Sequence, residues 1–257
     1  MGADRRRSAQ GRRRAQPEVP AGPARSPGRR QLNGPVIFDL DGVLVDSEIW
    51  WDEVRRSFAA AHGRDWGPDD QAAVMGANSA AWSRIMRERM ALDLDEAAIE
   101  RAIVDGVVER YRNEGPPRID GAVEAVRRIA AGRRVAVASS AHREVIDAAL
   151  AATGLDEVFE LVVSSDEVAH GKPAPDVYLE AARRLGVDPA TCLVVEDSRN
   201  GVRAARAAGM TVVLVPNESV PPAPGTHEEA DLVLERLADL DPAAVAPAGR
   251  SASSVPP

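Results

Sequence analysis

The sequence predicts an open, doubly wound α/β sheet with a helical insertion after its first strand. Short, valine-rich apolar runs of strand length recur along the chain, and helix-like segments separate the later runs. Strands and helices in alternation are typical of a parallel sheet with helices on both faces. The predicted strands comprise residues 36–40, 135–138, 161–163, 193–195 and 212–215.

Four helices are predicted, one before each of the four later strands. A glycine, the usual residue just beyond a helix, follows each of them. They comprise residues 121–131, 143–153, 175–185 and 199–208, with Gly132, Gly154, Gly186 and Gly209 as the helix stops. This regular alternation favours the doubly wound arrangement.

A long interval, residues 41–134, separates the first predicted strand from the second. We expect helices there at residues 48–62, 78–90 and 95–114, the last with an apolar stripe at Ile99, Ile103, Val107 and Tyr111. All four tryptophans fall in this interval. We expect Trp66 and Trp82 to be core residues, whereas Trp51 either packs in the core or faces a substrate. The predicted domains are a sheet domain of residues 35–46 and 117–240 and a helical cap of residues 47–116.

Charge is distributed unevenly along the chain. Residues 1–34 hold nine arginines and two acidic residues in a Pro/Gly/Ala-rich stretch, and we expect a disordered tail. This tail is either a solvated extension or a weak, nonspecific contact for RNA, DNA or an acidic partner. Residues 241–257, rich in Ala, Pro and Ser, are predicted to be a second disordered tail. The chain beyond residue 34 carries 23 basic and 38 acidic residues, a net charge of −15, so we expect no specific nucleic-acid partner.

Composition limits the class of protein. A chain of 257 residues, 44% of them hydrophobic, can bury a sizeable core. The single cysteine, Cys192, lies in an apolar run, and we expect it to be a small core side chain. No apolar stretch approaches the ~20 residues that span a bilayer, and no apolar segment follows the N-terminal arginines as in a secretory signal. We therefore expect a cytoplasmic monomer without a membrane partner.

Polar side chains follow strand after strand of the predicted sheet. In an open α/β sheet ligands gather at the carboxyl ends of the strands, so these side chains are expected to converge. An extended Asp-x-Asp directs both carboxylates to the same side, and with a third aspartate it offers the oxygen ligands that Mg²⁺ prefers. The candidates are Asp39 and Asp41 after the first strand, Ser139 and Ser140 after the second, Lys172 after the third, and Glu196 and Asp197 after the fourth.

Four segments that contain these residues also resemble a known family. The segments "DLDGVLVDSE", "VASS", "GKPAPDVY" and "VVEDSRNGVRAARAAGM" are similar to the four ordered motifs of the haloacid dehalogenase superfamily, in the branch of β-phosphoglucomutase and small sugar phosphatases. The resemblance covers about residues 36–216. It implies a Rossmann-like core with a helical cap inserted after the first motif, and phosphoryl transfer through an aspartyl phosphate.

The resemblance also implies a role for each candidate residue, by its position in a motif. The implied roles are nucleophile for Asp39, general acid/base for Asp41, phosphate binding for Ser139 and Ser140, phosphate and carboxylate partner for Lys172, and a Mg²⁺ site made of Asp39, Asp41, Glu196 and Asp197. In such enzymes the second aspartate of the first motif meets the metal through its backbone carbonyl, which leaves its carboxyl group free for proton transfer.

The chemistry agrees with these residue types. A carboxylate nucleophile divides hydrolysis into two easier displacements, and a general acid such as Asp41 contributes roughly 10²- to 10⁴-fold. Ser139 could alternatively be a helix N-cap, which is compatible with phosphate binding because helix N-termini bind anions.

Lys172 is the one lysine among 32 basic residues. A compact ammonium group can lie between phosphate and carboxylate as a point charge, where a planar guanidinium imposes bidentate geometry; the alternative is an accidental surface lysine. The same count argues against the phosphonate-cleaving relatives, which use a second lysine in the cap. Dehalogenase relatives lack the counterpart of Asp41, so its presence argues against that chemistry.

Three functions remain open at this stage. We expect a Mg²⁺-dependent phosphatase of small phosphorylated metabolites, of the sugar or polyol phosphate kind, with Glu48 and Trp51 of the cap helping to select the leaving group. A phosphosugar mutase is the first alternative, but β-phosphoglucomutases carry a histidine where this chain has Trp51. A catalytically idle protein that binds a phosphometabolite is the second alternative.

Overall fold

The structure, a computed structural model, describes residues 33–74 and 79–245. The tails predicted at residues 1–34 and 241–257 therefore lie largely outside the described residues. Where their inner ends are described, the N–H of Gly34 donates to the carbonyl oxygen of Thr191 at 3.2 Å, and Val245 packs against the main apolar cluster. These inner ends are part of the folded chain.

The described residues form a parallel sheet of six strands in the order β3-β2-β1-β4-β5-β6. The predicted open α/β fold is confirmed. The strands are β1 (Val36–Phe38), β2 (Val135–Ser139), β3 (Leu161–Ser164), β4 (Leu193–Glu196), β5 (Thr211–Leu214) and β6 (Leu232–Val233).

Strand ends differ from the prediction by one or two residues, and one strand was missed. The strand β1 stops at Phe38, whereas β4 continues into Glu196, a polar residue that an apolar run does not predict. The missed strand, β6, has two exposed residues and exists through its pairing with β5 at the sheet edge. Such a short edge strand has no pattern of its own in the sequence.

Strand order places a crevice above β1. The chain leaves β1 for β2 and β3 on one side, then crosses to β4 on the other side of β1. This reversal is a topological switch point, where ligands bind at the carboxyl ends of the strands. The predicted site residues that follow β1 and β4 meet at this point, and those that follow β2 lie at the end of the neighbouring strand.

Both faces of the sheet are buried, which explains the continuous apolar runs. Val36 and Phe38 belong to an apolar cluster on one face, and Ile37 belongs to a second cluster on the other face. Cys192 lies in the second cluster, fully buried as predicted, and burial raises the pKa of its thiol to about 11. None of the helices in the described ranges is both long and apolar enough to cross a membrane.

The helices of the described residues are α1 (Glu48–Ala61), α2 (Pro68–Val74), α3 (Ser79–Met90), α4 (Glu96–Asn113), α5 (Ala122–Ala130), α6 (Arg143–Thr153), α7 (Asp176–Leu185), α8 (Arg199–Ala207) and α9 (Thr226–Glu229). Gly154 and Gly186 end α6 and α7 in the left-handed conformation, as predicted. The helices α5 and α8 end earlier, so Gly132 and Gly209 lie beyond their C-caps.

Five helices, α1 to α5, lie between β1 and β2, and the first four of them fall in the predicted insertion. The apolar stripe predicted on α4 is buried, and Trp66 and Trp82 are core residues as predicted. The helix α2 was missed because it has seven residues, too few for a clear apolar period; Pro68 at its start and acidic residues in its first turn are typical of a helix N-terminus.

Two chain segments connect this insertion to the sheet and lie side by side. Val45 forms an antiparallel bridge with Arg118, and the N–H of Asp46 donates to the carbonyl oxygen of Pro117 at 2.9 Å. These pairs lie close to the predicted boundaries at residues 46/47 and 116/117. The division into a core and a cap stays a prediction.

Candidate active site

The end of β1 places Asp39 in the crevice. Asp39 follows the last strand residue, and its N–H donates to the carbonyl oxygen of Val195 at 3.0 Å. Gly42 then turns the chain at φ +80°, a conformation that favours glycine. A Cβ atom on Gly42 would lie 2.0 Å from Oδ2 of Asp197, so the close approach of these two segments also requires a glycine.

Lys172 joins two carboxylates in this crevice. Its Nζ donates to Oδ1 of Asp39 at 2.8 Å and to Oε1 of Glu196 at 2.6 Å, and its side chain is 5% exposed. Burial opposes the charged form, but the carboxylates of Asp39 and Glu196 outweigh it and raise the pKa of Lys172 well above its ordinary value. The ammonium group therefore stays charged, and Lys172 is not an accidental surface residue.

Glu196 is fully buried and accepts hydrogen bonds on both oxygens. Besides Lys172, the hydroxyl of Tyr178 donates to Oε1 at 2.6 Å. The N–H groups of Asp197 and Ser198 and the Ser198 hydroxyl donate to Oε2 at 3.0–3.2 Å. Burial alone raises the pKa of a carboxyl group, but Lys172 and these donors hold the pKa of Glu196 below its ordinary value.

Two residues that contact Glu196 were missed in the sequence. Tyr178 is the last residue of the "GKPAPDVY" motif, and its ring also lies 4.9 Å from Nζ of Lys172. Gly201, in the first turn of α8, leaves room for the carboxylate, since a Cβ atom there would lie 1.7 Å from Oε1 of Glu196. A glycine inside a predicted helix was the signal that could have identified Gly201.

Three carboxylates gather around the one ammonium group. Asp39, Glu196 and Asp197 each offer an oxygen, and these oxygens lie within 4.8 Å of one another. Burial and the neighbouring carboxylates raise the pKa of Asp39 from 3.8 to about 7, although Lys172 opposes the shift. Burial, Glu196 and Asp39 raise the pKa of Asp197 well above its ordinary value. This excess of negative charge in a set of hard oxygen donors fits a divalent cation such as Mg²⁺.

Ser139 and Ser140 lie at the carboxyl end of β2, on the other side of β1. The Ser139 hydroxyl oxygen accepts from the N–H of Ala141 at 3.1 Å, and the Ser140 carbonyl oxygen accepts from the Ser165 hydroxyl at 3.0 Å. The N-cap of α6 is His142, so Ser139 is not the helix N-cap considered above. The phosphate-binding roles of both serines stay predictions.

The carboxyl group of Asp41 is held by two residues at the start of the insertion. The Ser47 hydroxyl and the indole N–H of Trp51 donate to it, and burial raises its pKa above the ordinary value. Trp51 also packs edge-to-face on Trp82, with ring centroids 6.3 Å apart. Trp51 is therefore a core residue that also contacts Asp41, and its role toward a substrate stays a prediction. Ser47 was missed, although it lies in the first motif.

Glu48 begins α1 and lies between these groups and the rest of the insertion. Its Oε1 accepts from Nε2 of Gln71 at 3.0 Å and lies 3.9 Å from Nη1 of Arg55. Its side chain is 28% exposed. Burial raises the pKa of Glu48, and the charge of Asp41 adds to the shift although Arg55 opposes it.

The sequence motifs and this geometry agree with one family. Residues 36–209 match the haloacid dehalogenase-like hydrolases. The chain belongs to this family. The resemblance seen in the four motifs is confirmed.

Curated relatives share most of the chain. It is 37% identical to Protein CbbY of Rhodobacter capsulatus over 71% of this chain and 85% of the relative. It is 34% identical to the fructose-1-phosphate phosphatase YqaB of Escherichia coli over 69% of this chain and 94% of the relative. The family and the phosphatase names of relatives support the predicted enzyme class, a phosphatase.

One relative is much longer than this protein. The chain is 32% identical to the bifunctional riboflavin kinase/FMN phosphatase of Arabidopsis thaliana over 82% of this chain, and it spans about half of that relative, 55%.

Solved structures confirm the fold. The crystal structure of a CbbY variant from Rhodobacter sphaeroides in complex with xylulose 1,5-bisphosphate superposes with a TM-score of 0.70 at 26% identity. The match covers 80% of this chain and 95% of the other.

Proposed function

We propose that the protein is a Mg²⁺-dependent phosphatase that hydrolyses small phosphorylated metabolites, of the sugar or polyol phosphate kind, through a phosphorylated Asp39. The observation that carries the proposal is the position of Nζ of Lys172, within 2.8 Å of Asp39 and 2.6 Å of Glu196. An ammonium group held there can bind a phosphate oxygen while it keeps the Asp39 carboxylate oriented.

Asp39 acts as the nucleophile. One of its carboxylate oxygens attacks phosphorus, and the bond from phosphorus to the alcohol oxygen breaks as the aspartyl phosphate forms. Lys172, and Ser139 at the end of β2, hold the phosphate oxygens during this displacement. A water molecule then attacks phosphorus, which releases inorganic phosphate and restores Asp39.

Asp41 moves the protons of both steps. Its pKa lies above the ordinary value because of burial, so the carboxyl group can donate a proton to the departing alcohol. In the second step the resulting carboxylate takes a proton from the attacking water. The hydrogen bonds from Ser47 and Trp51 keep the group directed at the crevice.

Asp39, Asp197 and Glu196 would hold the metal with their carboxylates, and Asp41 with its backbone carbonyl. Both oxygens of Glu196 already accept several hydrogen bonds, so Asp39 and Asp197 have more oxygen lone pairs to offer. When bound, Mg²⁺ supplies charge that offsets the negative charge of the phosphate and of the carboxylates.

Two relatives support the substrate class, since one is a fructose-1-phosphate phosphatase and a CbbY structure holds xylulose 1,5-bisphosphate. The test is inorganic phosphate release from p-nitrophenyl phosphate, fructose 1-phosphate, sorbitol 6-phosphate, 2-phosphoglycolate and a nucleoside monophosphate, with Mg²⁺ and with EDTA. We expect turnover of a sugar or polyol phosphate that EDTA abolishes. No Mg²⁺-dependent turnover of any ester would contradict the proposal and leave a binding protein.

A further inference from the structure

A buried guanidinium group lies beside the crevice, outside the residues assigned above. The guanidinium carbon of Arg55, in the second turn of α1, lies 5.3 Å from the ring centroid of Trp51 and 5.6 Å from that of Trp82. Arg55 is 5% exposed. Burial of a charge is costly unless the group is paired, so the buried guanidinium group of Arg55 requires a partner.

The partners of Arg55 are weak for a buried cation. Nη1 donates to Oε1 of Gln71 at 3.2 Å and lies 3.9 Å from Oε1 of Glu48, and Nε has no hydrogen-bond partner among the described residues. Such an arrangement contributes less to stability than an aliphatic side chain of the same shape could. The cation–π contacts with Trp51 and Trp82 offset part of the cost of burial, and the carboxylate of Glu48 at 3.9 Å supplies the opposite charge.

A hydrogen-bond chain orients Glu48. Trp66 Nε1 and Arg55 Nη1 both donate to Oε1 of Gln71, which directs Nε2 of Gln71 to Oε1 of Glu48 at 3.0 Å. Among the described residues, none donates to Oε2 of Glu48, and the side chain is 28% exposed. In the part of the chain that the structure describes, the protein therefore holds one oxygen of Glu48 and leaves the other able to accept a hydrogen bond.

Arg55 also reaches the catalytic carboxyl group through one residue. Trp51, against which the guanidinium packs, donates its indole N–H to Asp41. Both residues that separate Arg55 from the crevice, Trp51 and Glu48, are residues that a leaving group bound beside Asp41 would meet.

We propose that Arg55 is a positioning residue that directs Oε2 of Glu48 at a hydroxyl group of the leaving alcohol and thereby determines specificity. The inference rests on the proposed phosphatase function. A carboxylate acceptor binds a neutral hydroxyl and repels a second anionic group, so the site prefers monophosphates of polyhydroxylated alcohols to esters whose alcohol carries a carboxylate.

The experiment compares Arg55→Met with Arg55→Lys, Glu48→Gln and the double variant Arg55→Met/Glu48→Gln. Arg112→Met is the control, because Arg112 is an exposed arginine of the same insertion, in the last turn of α4. For each protein, kcat and KM are measured with Mg²⁺ on fructose 1-phosphate, sorbitol 6-phosphate, 2-phosphoglycolate and p-nitrophenyl phosphate. Melting temperatures identify any variant that is unfolded.

We expect Arg55→Met to lower kcat/KM on the hydroxyl-bearing ester about 10- to 100-fold, mainly through KM, and to lower kcat/KM on p-nitrophenyl phosphate much less. Lysine should restore part of the loss because it keeps the charge beside Glu48. The double variant should lose no more than Glu48→Gln alone, since Arg55 acts through Glu48. Arg112→Met should match the wild type.

Three results would overturn the inference and leave the phosphatase proposal standing. They are equal losses by Arg55→Met on all esters, additive losses in the double variant, or a wild type that prefers 2-phosphoglycolate to the sugar and polyol phosphates. A wild type without turnover of any ester would instead contradict the proposed function itself. If Arg55→Met is unfolded, the same ratios of kcat/KM between esters are compared for Arg55→Lys and Glu48→Gln.

Discussion

At the scale of single residues, the position of Lys172 between two carboxylates depends on the shape of its charged group. Nζ reaches Asp39 and Glu196 together from a side chain that is almost fully buried. A guanidinium group is wider and planar, so it cannot occupy the same point without moving one carboxylate.

We therefore expect Lys172→Arg to lower kcat/KM at least about 100-fold although the charge is kept. Steady-state phosphate release measures the loss, and a melting curve shows that the variant is folded. Arg183→Lys is the control, since Arg183 is exposed and pairs with Glu180 at the surface. Near-normal kinetics of Lys172→Arg would mean that any cation serves at this position.

The role of Asp41 can be tested with two esters whose leaving groups differ in their need for a proton. Asp41→Asn keeps the hydrogen-bond acceptor for Ser47 and Trp51 but removes the proton, so turnover of an alkyl phosphate should fall roughly 10²- to 10⁴-fold. The loss of rate in the first displacement should be smaller for p-nitrophenyl phosphate, because nitrophenolate leaves without a proton. Single-turnover kinetics on the two esters measure it. Equal losses would remove Asp41 from the role of general acid.

The raised pKa of Asp39, about 7 against an ordinary 3.8, makes stability depend on pH. The folded state binds a proton that the unfolded state has released, so the metal-free protein should lose stability as pH rises from about 4 to about 7. A divalent cation binds the deprotonated form, and its stabilising effect should grow over the same range. Melting temperatures with EDTA and with Mg²⁺ at pH 5.5 and pH 8 measure both effects. An equal or smaller Mg²⁺-induced shift at pH 8 would contradict the assignment of Asp39 to a metal site.

At the scale of elements, the N-terminus of α8 holds the carboxylate of Glu196 in place. Ser198 is the N-cap of this helix, with its hydroxyl oxygen accepting from the N–H of Gly201, and the same hydroxyl donates to Glu196. The helix N-terminus, β4 and the loop of Lys172 therefore share one carboxylate. A substitution in the first turn of α8 should therefore affect Asp39, the proposed nucleophile.

Gly201→Ala tests this connection, because the added methyl group would overlap Oε1 of Glu196. We expect a lower melting temperature and a loss of kcat/KM of about 10-fold or more, as Glu196 moves away from Lys172. Gly132→Ala is the matched control, since a Cβ atom there meets nothing within 4 Å and its φ is not in the left-handed region. If both variants had the same melting temperature and the same kcat/KM, the contact of Gly201 with Glu196 would not contribute to activity.

At the scale of the whole molecule, the proposed mechanism requires the insertion and the sheet together to control which molecule reaches phosphorylated Asp39. A phosphatase admits water, whereas a mutase admits a sugar hydroxyl and excludes water. Trp51 holds Asp41 from the side of the insertion, and its indole ring donates a hydrogen bond but accepts no proton.

We therefore expect hydrolysis rather than isomerisation. Given β-glucose 1-phosphate and a trace of glucose 1,6-bisphosphate, any turnover should release inorganic phosphate and form little glucose 6-phosphate. Phosphate and glucose 6-phosphate are measured in the same reaction. Near-stoichiometric conversion to glucose 6-phosphate without phosphate release would make the protein a mutase.

Much of the fold follows from local patterns in the chain. Five of the six strands in the described residues, and the helices α1 and α3 to α8, were predicted within one or two residues, since apolar period and helix stops act over a few positions. The strand β6 and the helices α2 and α9 were missed because each is too short to carry a period. The convergence of Asp39, Lys172 and Glu196 was predicted because parallel strands end at one edge of the sheet.

By itself, the sequence determined the order of buried strands and the acidic and basic residues that end them, and so the chemistry that the site can perform. Only the tertiary structure decided which atoms of these residues meet. Lys172 and Asp39 are 133 positions apart, and Arg55 is buried between two tryptophans from different helices. The reason is physical: strand and helix patterns depend on neighbouring residues, whereas hydrogen bonds and buried charges depend on partners that only the assembled sheet and insertion bring within reach.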